Sequence, residues 1–166
     1  MISSVSERQF NGQEHDVSVD AASGRVTKST RFSDNFGYGH AFHDDTPGAT
    51  PSEYLDRLLT HNRIFDDDVR LEGVVRTTKG PSVVTSQPFI RSRDATPAEI
   101  EAYMERKGFV KLGTGAFYHA GEGLIVHDMH PRNVKTDQSG RVHPIDPIIQ
   151  RVESDFVSEI KSLLAS

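Results

Sequence analysis

Gly123–Ile148, GLIVHDMHPRNVKTDQSGRVHPIDPI, is the stretch whose reading decides the fold. Leu124, Ile125 and Val126 form a short apolar run suited to a buried strand, and Pro131, which has no backbone N–H, prevents its continuation. Asp128 to Asn133 is therefore expected as a loop. Val134, Lys135 and Thr136 resume an extended pattern, Asp137-Gln138-Ser139-Gly140 supplies turn residues, and Arg141 to Ile145 forms the second arm of a hairpin. That arm carries Asp146 back beside Asn133.

Two carboxylates and an amide gathered in this way make an oxygen-rich donor set of the kind magnesium prefers, because that cation takes hard ligands and keeps waters and substrate phosphates. The order D-x-x-x-x-N, then an aspartate at the next short strand, is the spacing kinases use. In it the first aspartate orients the acceptor hydroxyl and the other two residues hold metal. Asp128, Asn133 and Asp146 occupy those positions. The form HDMHPRN resembles the D-x-H-P-x-N loop of aminoglycoside and choline kinases more than the H-R-D loop of protein kinases. The same residues also read as a polar hairpin with a solvated aspartate at each end.

Upstream, residues 1–13 are weakly patterned, a loose lead-in strand anchored by Phe10. From Glu14 the chain alternates, with Val17 and Val19 on one face, a turn at Ala22-Ser23-Gly24, and Val26 and Lys28 in a second strand. V-x-K on a strand is how kinases clamp nucleotide phosphates, with a valine on the neighbouring strand lying over the adenine ring. An exposed strand lysine is the other reading of Lys28. Arg31 to Ala49, rich in Gly, Asp and His, reads as a long loop. Thr50-Pro51-Ser52-Glu53 then opens a helix through a capping box, with Leu55, Leu58, Leu59 and Asn62 toward the core. If this is the regulatory helix of a kinase, Glu53 or Asp56 would pair with Lys28, although Glu53 is already accounted for as a cap.

Asp66-Asp67-Asp68 reads as a turn with a solvated charge run. Leu71 to Thr77 and Ser82 to Ile90 form a hairpin around Lys79-Gly80-Pro81, and Ser86 to Phe89, containing Gln87, is the candidate hinge for an adenine. Thr96-Pro97-Ala98-Glu99 repeats the capping box and starts a helix that Gly108 ends. Phe109 to Leu112 and Ala116 to His119 pair around Gly113-Thr114-Gly115. The tail from Ser154 to Leu164 is an amphipathic helix with Phe156, Val157, Ile160, Leu163 and Leu164 as its apolar face. Hairpins alternating with helices give an α+β class.

Composition narrows the partners. The 166 residues carry a net charge of −5, and no segment concentrates Lys and Arg, so a nucleic-acid footprint is not expected. The absence of cysteine excludes disulfides and thiolate metal sites. The polar start MISSVSERQFNGQE lacks the apolar core of a signal peptide, and no stretch reaches the ~20 apolar residues of a membrane span. A cytoplasmic protein without membrane contact is expected.

GRVTKST, ATPSEYLDRLLTHNRIF, VRLEGVV, VVTSQPFI, ERKGF and VHDMHPRNV…IDPI together resemble the kinase-like domain of polyvalent proteins from phages and other bacterial mobile elements. The resemblance implies one small, reduced protein-kinase-like fold. Its amino-terminal lobe, about residues 14–90, would be an antiparallel sheet with one helix, and its truncated carboxy-terminal lobe would span about 91–166. It further implies ATP- and magnesium-dependent phosphoryl transfer to a protein or small-molecule acceptor. Asp128 and Lys28 would be catalytic, Lys28, Val17, Val26, Glu53, Gln87 and Phe89 would bind nucleotide, and Asn133 and Asp146 would bind metal. The chain departs from ordinary kinases in having no glycine-rich loop ahead of Lys28, Pro147-Ile148 after the metal aspartate, and 20 residues beyond Asp146. A nucleotide-binding pseudokinase or interaction module is the alternative. A metal-dependent phosphohydrolase built on His127, Asp128, His130 and His143 is another.

Overall fold

Local turn and cap chemistry is realised in an α+β fold of twelve strands and three helices among the described residues. The computed structural model describes residues 9–11, 15–20, 22–33, 37–39, 48–78, 80–152 and 154–164. Those up to Phe89 form one unit and those from Ile90 another.

The first unit contains β1 (Gln9–Asn11), β2 (His15–Asp20), β3 (Arg25–Arg31), α1 (Pro51–Phe65), β4 (Arg70–Thr77) and β5 (Gly80–Pro88). The strands form an antiparallel sheet in the order β1-β2-β3-β5-β4. Part of the lead-in and of the expected loop between Arg31 and Ala49, and Lys79 in the β4–β5 turn, lie outside the described residues. α1 starts as its sequence dictates: the Thr50 side chain accepts the Glu53 N–H while Glu53 Oε2 accepts the Thr50 N–H at 2.9 Å. It packs through Tyr54, whose hydroxyl is 2.9 Å from Thr30 Oγ1 of β3, in a core with Tyr38, Ala49 and Val83.

The buried stripe of α1 differs from the leucine stripe expected from sequence. Tyr54, Arg57, His61 and Phe65 are buried, Leu55 and Leu58 are partly buried, and Leu59 is 67 % exposed. Positions 54, 57, 61 and 65 are a helical face of their own, filled by aromatic rings and Arg57 where the sequence reading followed leucine. Asn62 does not enter the core. Its amide instead donates to Val69 O at 2.8 Å and accepts the Val69 N–H at 2.9 Å, closing the loop after α1. Nor is Asp66-Asp67-Asp68 a freely solvated run. Asp66 takes the left-handed cap at φ 54°, Asp67 holds buried His61 at 2.9 Å, and Asp68 pairs with Arg25 and Arg70.

The second unit contains β6 (Ser92–Asp94), α2 (Pro97–Arg106), β7 (Val110–Gly113), β8 (Ala116–His119), β9 (Leu124–His127), β10 (Val134–Asp137), β11 (Val142–Pro144), β12 (Ile148–Arg151) and α3 (Ser154–Leu164). They form a four-stranded antiparallel sheet, β12-β9-β8-β7, and a three-stranded one, β11-β10-β6. β6 and β12 were not anticipated from sequence. Leu124, Val126, Val134 and Ile149 are fully buried, and each contributes about 1.5–3 kcal/mol, enough to fix the strand ends that carry the central loop. In α3, Ile160 is buried while Phe156 is half exposed. Among the described residues no helix is long and apolar enough to cross a membrane.

Candidate functional site

β9 ends at His127, and Asp128 turns the chain out of the sheet with φ 61°. A left-handed backbone costs a residue with a Cβ roughly 1–2 kcal/mol, and aspartate is among the few that adopt it routinely. Neighbours on several sides hold it there. The Met129 N–H donates to Gly115 O at 3.1 Å, the His130 N–H to Asp128 O at 3.0 Å, and His130 Nε2 lies 3.1 Å from Asp128 Oδ1. Gly115, at φ 68°, leaves little room for a side chain, because a Cβ there would lie 3.2 Å from Met129 O, closer than an ordinary contact. The Gly113-Thr114-Gly115 turn between β7 and β8, read from sequence as a hairpin turn, is thus also a buttress for the loop.

Asn133 is delivered to the same place by β10. Its Nδ2 donates to Asp128 Oδ2 at 2.7 Å, to Asp128 O at 3.1 Å and to Asp146 O at 3.2 Å. With the nitrogen set among three oxygens, the amide orientation is fixed and Oδ1 is turned away from them. The Ile145 N–H donates to Asn133 O at 2.8 Å and continues the β10–β11 pairing of Val134 with Pro144. A second ladder adds to this: β9 pairs with β12 through His127 and Ile148, which sets Asp128 and Pro147 side by side. Asp128, Asn133 and Asp146 are therefore brought together by two independent strand pairings. What meets there is the Asp128 carboxylate, the Asn133 amide nitrogen and the Asp146 backbone carbonyl.

The histidines do not join this group into a transition-metal centre. His127 Nε2 is 2.8 Å from Gln150 Oε1, and His143 Nε2 is 2.8 Å from Asp137 Oδ2 at the far end of the hairpin. Among the described residues no three His, Asp or Glu side chains gather as a metal site. Asp137 is held below the usual carboxylate range by the Ser139 hydroxyl and by His143, which locks the turn rather than the site. Glu99 of the α2 capping box is lowered to about 2 by its hydrogen bond with Arg93 and by the Thr96 N–H.

Beside the loop lies a cavity of about 500 Å³ within the second unit, lined by α2, by the β7–β8 hairpin and by His127 to Pro131.

In the first unit, strand register gathers most of the residues expected to meet a nucleotide. Val17 pairs with Lys28, Val19 with Val26, Lys28 with Thr85 and Val26 with Gln87. Cross-strand partners share a sheet face, so Val17, Val26, Lys28 and Gln87 lie on one face. Thr30, which meets Tyr54 of α1, lies on the same face. Glu53, on α1, spends its carboxylate on the helix cap. Phe89 is about half exposed and its N–H donates to Gly24 O at 2.8 Å.

The family model described as Serine/Threonine/Tyrosine Kinase found in polyvalent proteins matches residues 5–153. Comparison with curated proteins and with solved structures gives no match. With nearly all of its length matched, the chain belongs to the family of serine/threonine/tyrosine kinases found in polyvalent proteins.

Proposed function

We propose that the chain is an ATP- and magnesium-dependent phosphotransferase of reduced kinase-like fold, with the first unit serving the nucleotide and the second the acceptor. The observation that carries this reading is the bonding of Asn133 Nδ2, which ties the Asp128 carboxylate and the Asp146 backbone into one cluster. Membership of a kinase family supports it.

Magnesium-bound ATP would supply the phosphoryl group and neutralise its charge. Asn133 Oδ1 and the Asp146 carboxylate would hold the metal. Asp128 accepts a hydrogen bond from the acceptor hydroxyl and takes its proton as the oxygen attacks, a contribution of roughly 10²–10⁴-fold. The strained, buttressed backbone of Asp128 keeps that carboxylate in one orientation before any substrate arrives. Lys28 contacts the α- and β-phosphates, and Val17 and Val26 lie against the adenine. Gln87 and Phe89 flank it at the end of β5. Glu53 would turn from the helix cap it closes to pair with Lys28, as the glutamate of a regulatory helix does.

The test is a melting curve with ATP and magnesium together and singly. A ligand at 100 times its Kd adds ~2.7 kcal/mol, a visible shift. Magnesium-dependent stabilisation that disappears in Asp146→Asn is expected. Stabilisation by ATP that ignores both magnesium and Asp146→Asn overturns the metal assignment.

A further inference from the structure

We propose that the cavity beside Asp128 is the acceptor pocket and that it takes an aromatic hydroxyl, a phenol such as a tyrosine side chain, in preference to an aliphatic alcohol. The inference rests on the phosphotransferase reading and names its acceptor.

The cavity is two-faced. Its floor is apolar and buried: Ile100 of α2, Phe117 of β8 and Met129 of the loop are each 2 % exposed. Its rim is charged and open. Asp128 stands on it, and Lys111 Nζ meets Glu101 Oε1 at 2.7 Å with both side chains 48 % exposed. A volume of about 500 Å³ falls in the range of pockets that enclose small organic groups, about 300–1,000 Å³. Serine or threonine brings one or two carbons and would leave most of that volume unfilled. A phenol brings an aromatic body that buries about 150–250 Å², and the Met129 thioether is a favourable neighbour for a ring edge. With the ring on the floor, the hydroxyl lies at the rim, where Asp128 is. The Lys111–Glu101 pair offers a donor and an acceptor to the peptide groups flanking the ring.

The chemistry balances. The phenolic oxygen forms a bond to the γ-phosphorus, its proton passes to Asp128, and the bond from that phosphorus to the bridging oxygen breaks as ADP leaves. A phenol, with an ordinary pKa of about 10, gives up that proton more readily than an aliphatic hydroxyl.

The test uses the full chain with N-acetyl-tyrosinamide, N-acetyl-serinamide and N-acetyl-phenylalaninamide. Binding is read by ligand-observed NMR, and phosphate transfer and ADP release are read separately. The tyrosine and phenylalanine probes are expected to bind, and tyrosine to be phosphorylated at least about tenfold better than serine, the scale set by apolar pocket contacts. Ile100→Phe, which fills the floor, should abolish probe binding. Because that variant can disturb the core, Thr114→Trp, an exposed rim position of the same cavity, is the second arm and should lower tyrosine binding and transfer together. Serine phosphorylated as well as tyrosine overturns the inference, as does tyrosine binding that Thr114→Trp leaves untouched. ADP release without transfer to tyrosine overturns it while leaving the phosphotransferase reading standing. No ADP release with any acceptor overturns both.

Discussion

Asn133→Asp keeps the shape of the side chain and reverses one end of it, so that an oxygen replaces the nitrogen now donating to Asp128 Oδ2, Asp128 O and Asp146 O. The bond to the carboxylate is worth roughly 1.5–3 kcal/mol and each bond to a carbonyl roughly 0.5–1.5. Asn133 is partly exposed, so water replaces some of this and the lower values apply, about 2.5 kcal/mol together. A second carboxylate then faces Asp128. Two charges ~4 Å apart repel by ~1 kcal/mol in water and ~4 kcal/mol at an effective dielectric of ~20, and the 42 % exposure of the Asp128 side chain favours the lower figure. A loss of about 3–4 kcal/mol in chelator lowers Tm by about 6–16 °C for a chain of this size. Magnesium should recover more of that loss in the variant than it adds to the parent, because the new carboxylate is a further hard ligand. The assay is thermal melting by circular dichroism in chelator and in magnesium, with amide exchange at Ile145, whose N–H donates to Asn133 O. A variant that melts with its parent in chelator and keeps Ile145 protected refutes the claim that this amide holds the loop. Equal magnesium shifts in both proteins refute the metal role.

Lys28→Met keeps the aliphatic stem on the β3 face and removes the charge, so ATP affinity should fall about tenfold or more, the scale of a lost charged contact. Unchanged affinity by calorimetry would remove the nucleotide role of that face. Asp128→Ala and Asp128→Gly should both slow turnover by ~10²-fold or more. The glycine variant should be the more stable of the two by roughly 1 kcal/mol, because φ 61° suits glycine and strains alanine; equal urea midpoints would contradict the strain. Glu99 has a folded pKa of about 2 against an ordinary 4.5. Its stabilising contribution is therefore complete above 4.5 and is lost as pH falls toward 2. Glu99→Gln should flatten the loss of stability over that acid interval in urea titrations; a slope identical to the parent's would show that the Arg93 pair does not couple to folding.

The parts of the fold legible in the sequence are those whose cause is local. Both capping boxes, at Thr50 and Thr96, rest on residues three positions apart, and both helices start where those residues demand. The hairpins flanking Gly24, Gly115 and Gly140 were marked by their turn residues. Asn133 and Asp146 meet because one short hairpin returns the chain on itself. β6 and β12 were not legible because each is short and pairs with a strand far away in sequence, β6 with β10 and β12 with β9. Ser92-Arg93-Asp94 carries no apolar alternation at all. The face of α1 was misjudged at Leu59 because a buried histidine and arginine look like surface in sequence. His61 is tolerated inside by the Asp67 carboxylate it contacts, a pairing across the helix end. The contact of Gly115 with Met129 depends on how two hairpins meet, which local spacing does not encode.

The positive φ of Asp128 also shapes what mutation can do to this chain. Asparagine and glycine are the residues that share aspartate's ease in that conformation, and each is reached from an aspartate codon by a single base change. Either replacement abolishes the carboxylate and accepts the same backbone, so under the role proposed for Asp128 one genetic step silences the chemistry and keeps the scaffold. Most other substitutions add roughly 1–2 kcal/mol of backbone strain to the same loss. Under that role, drift at this codon is biased toward inactive but intact descendants.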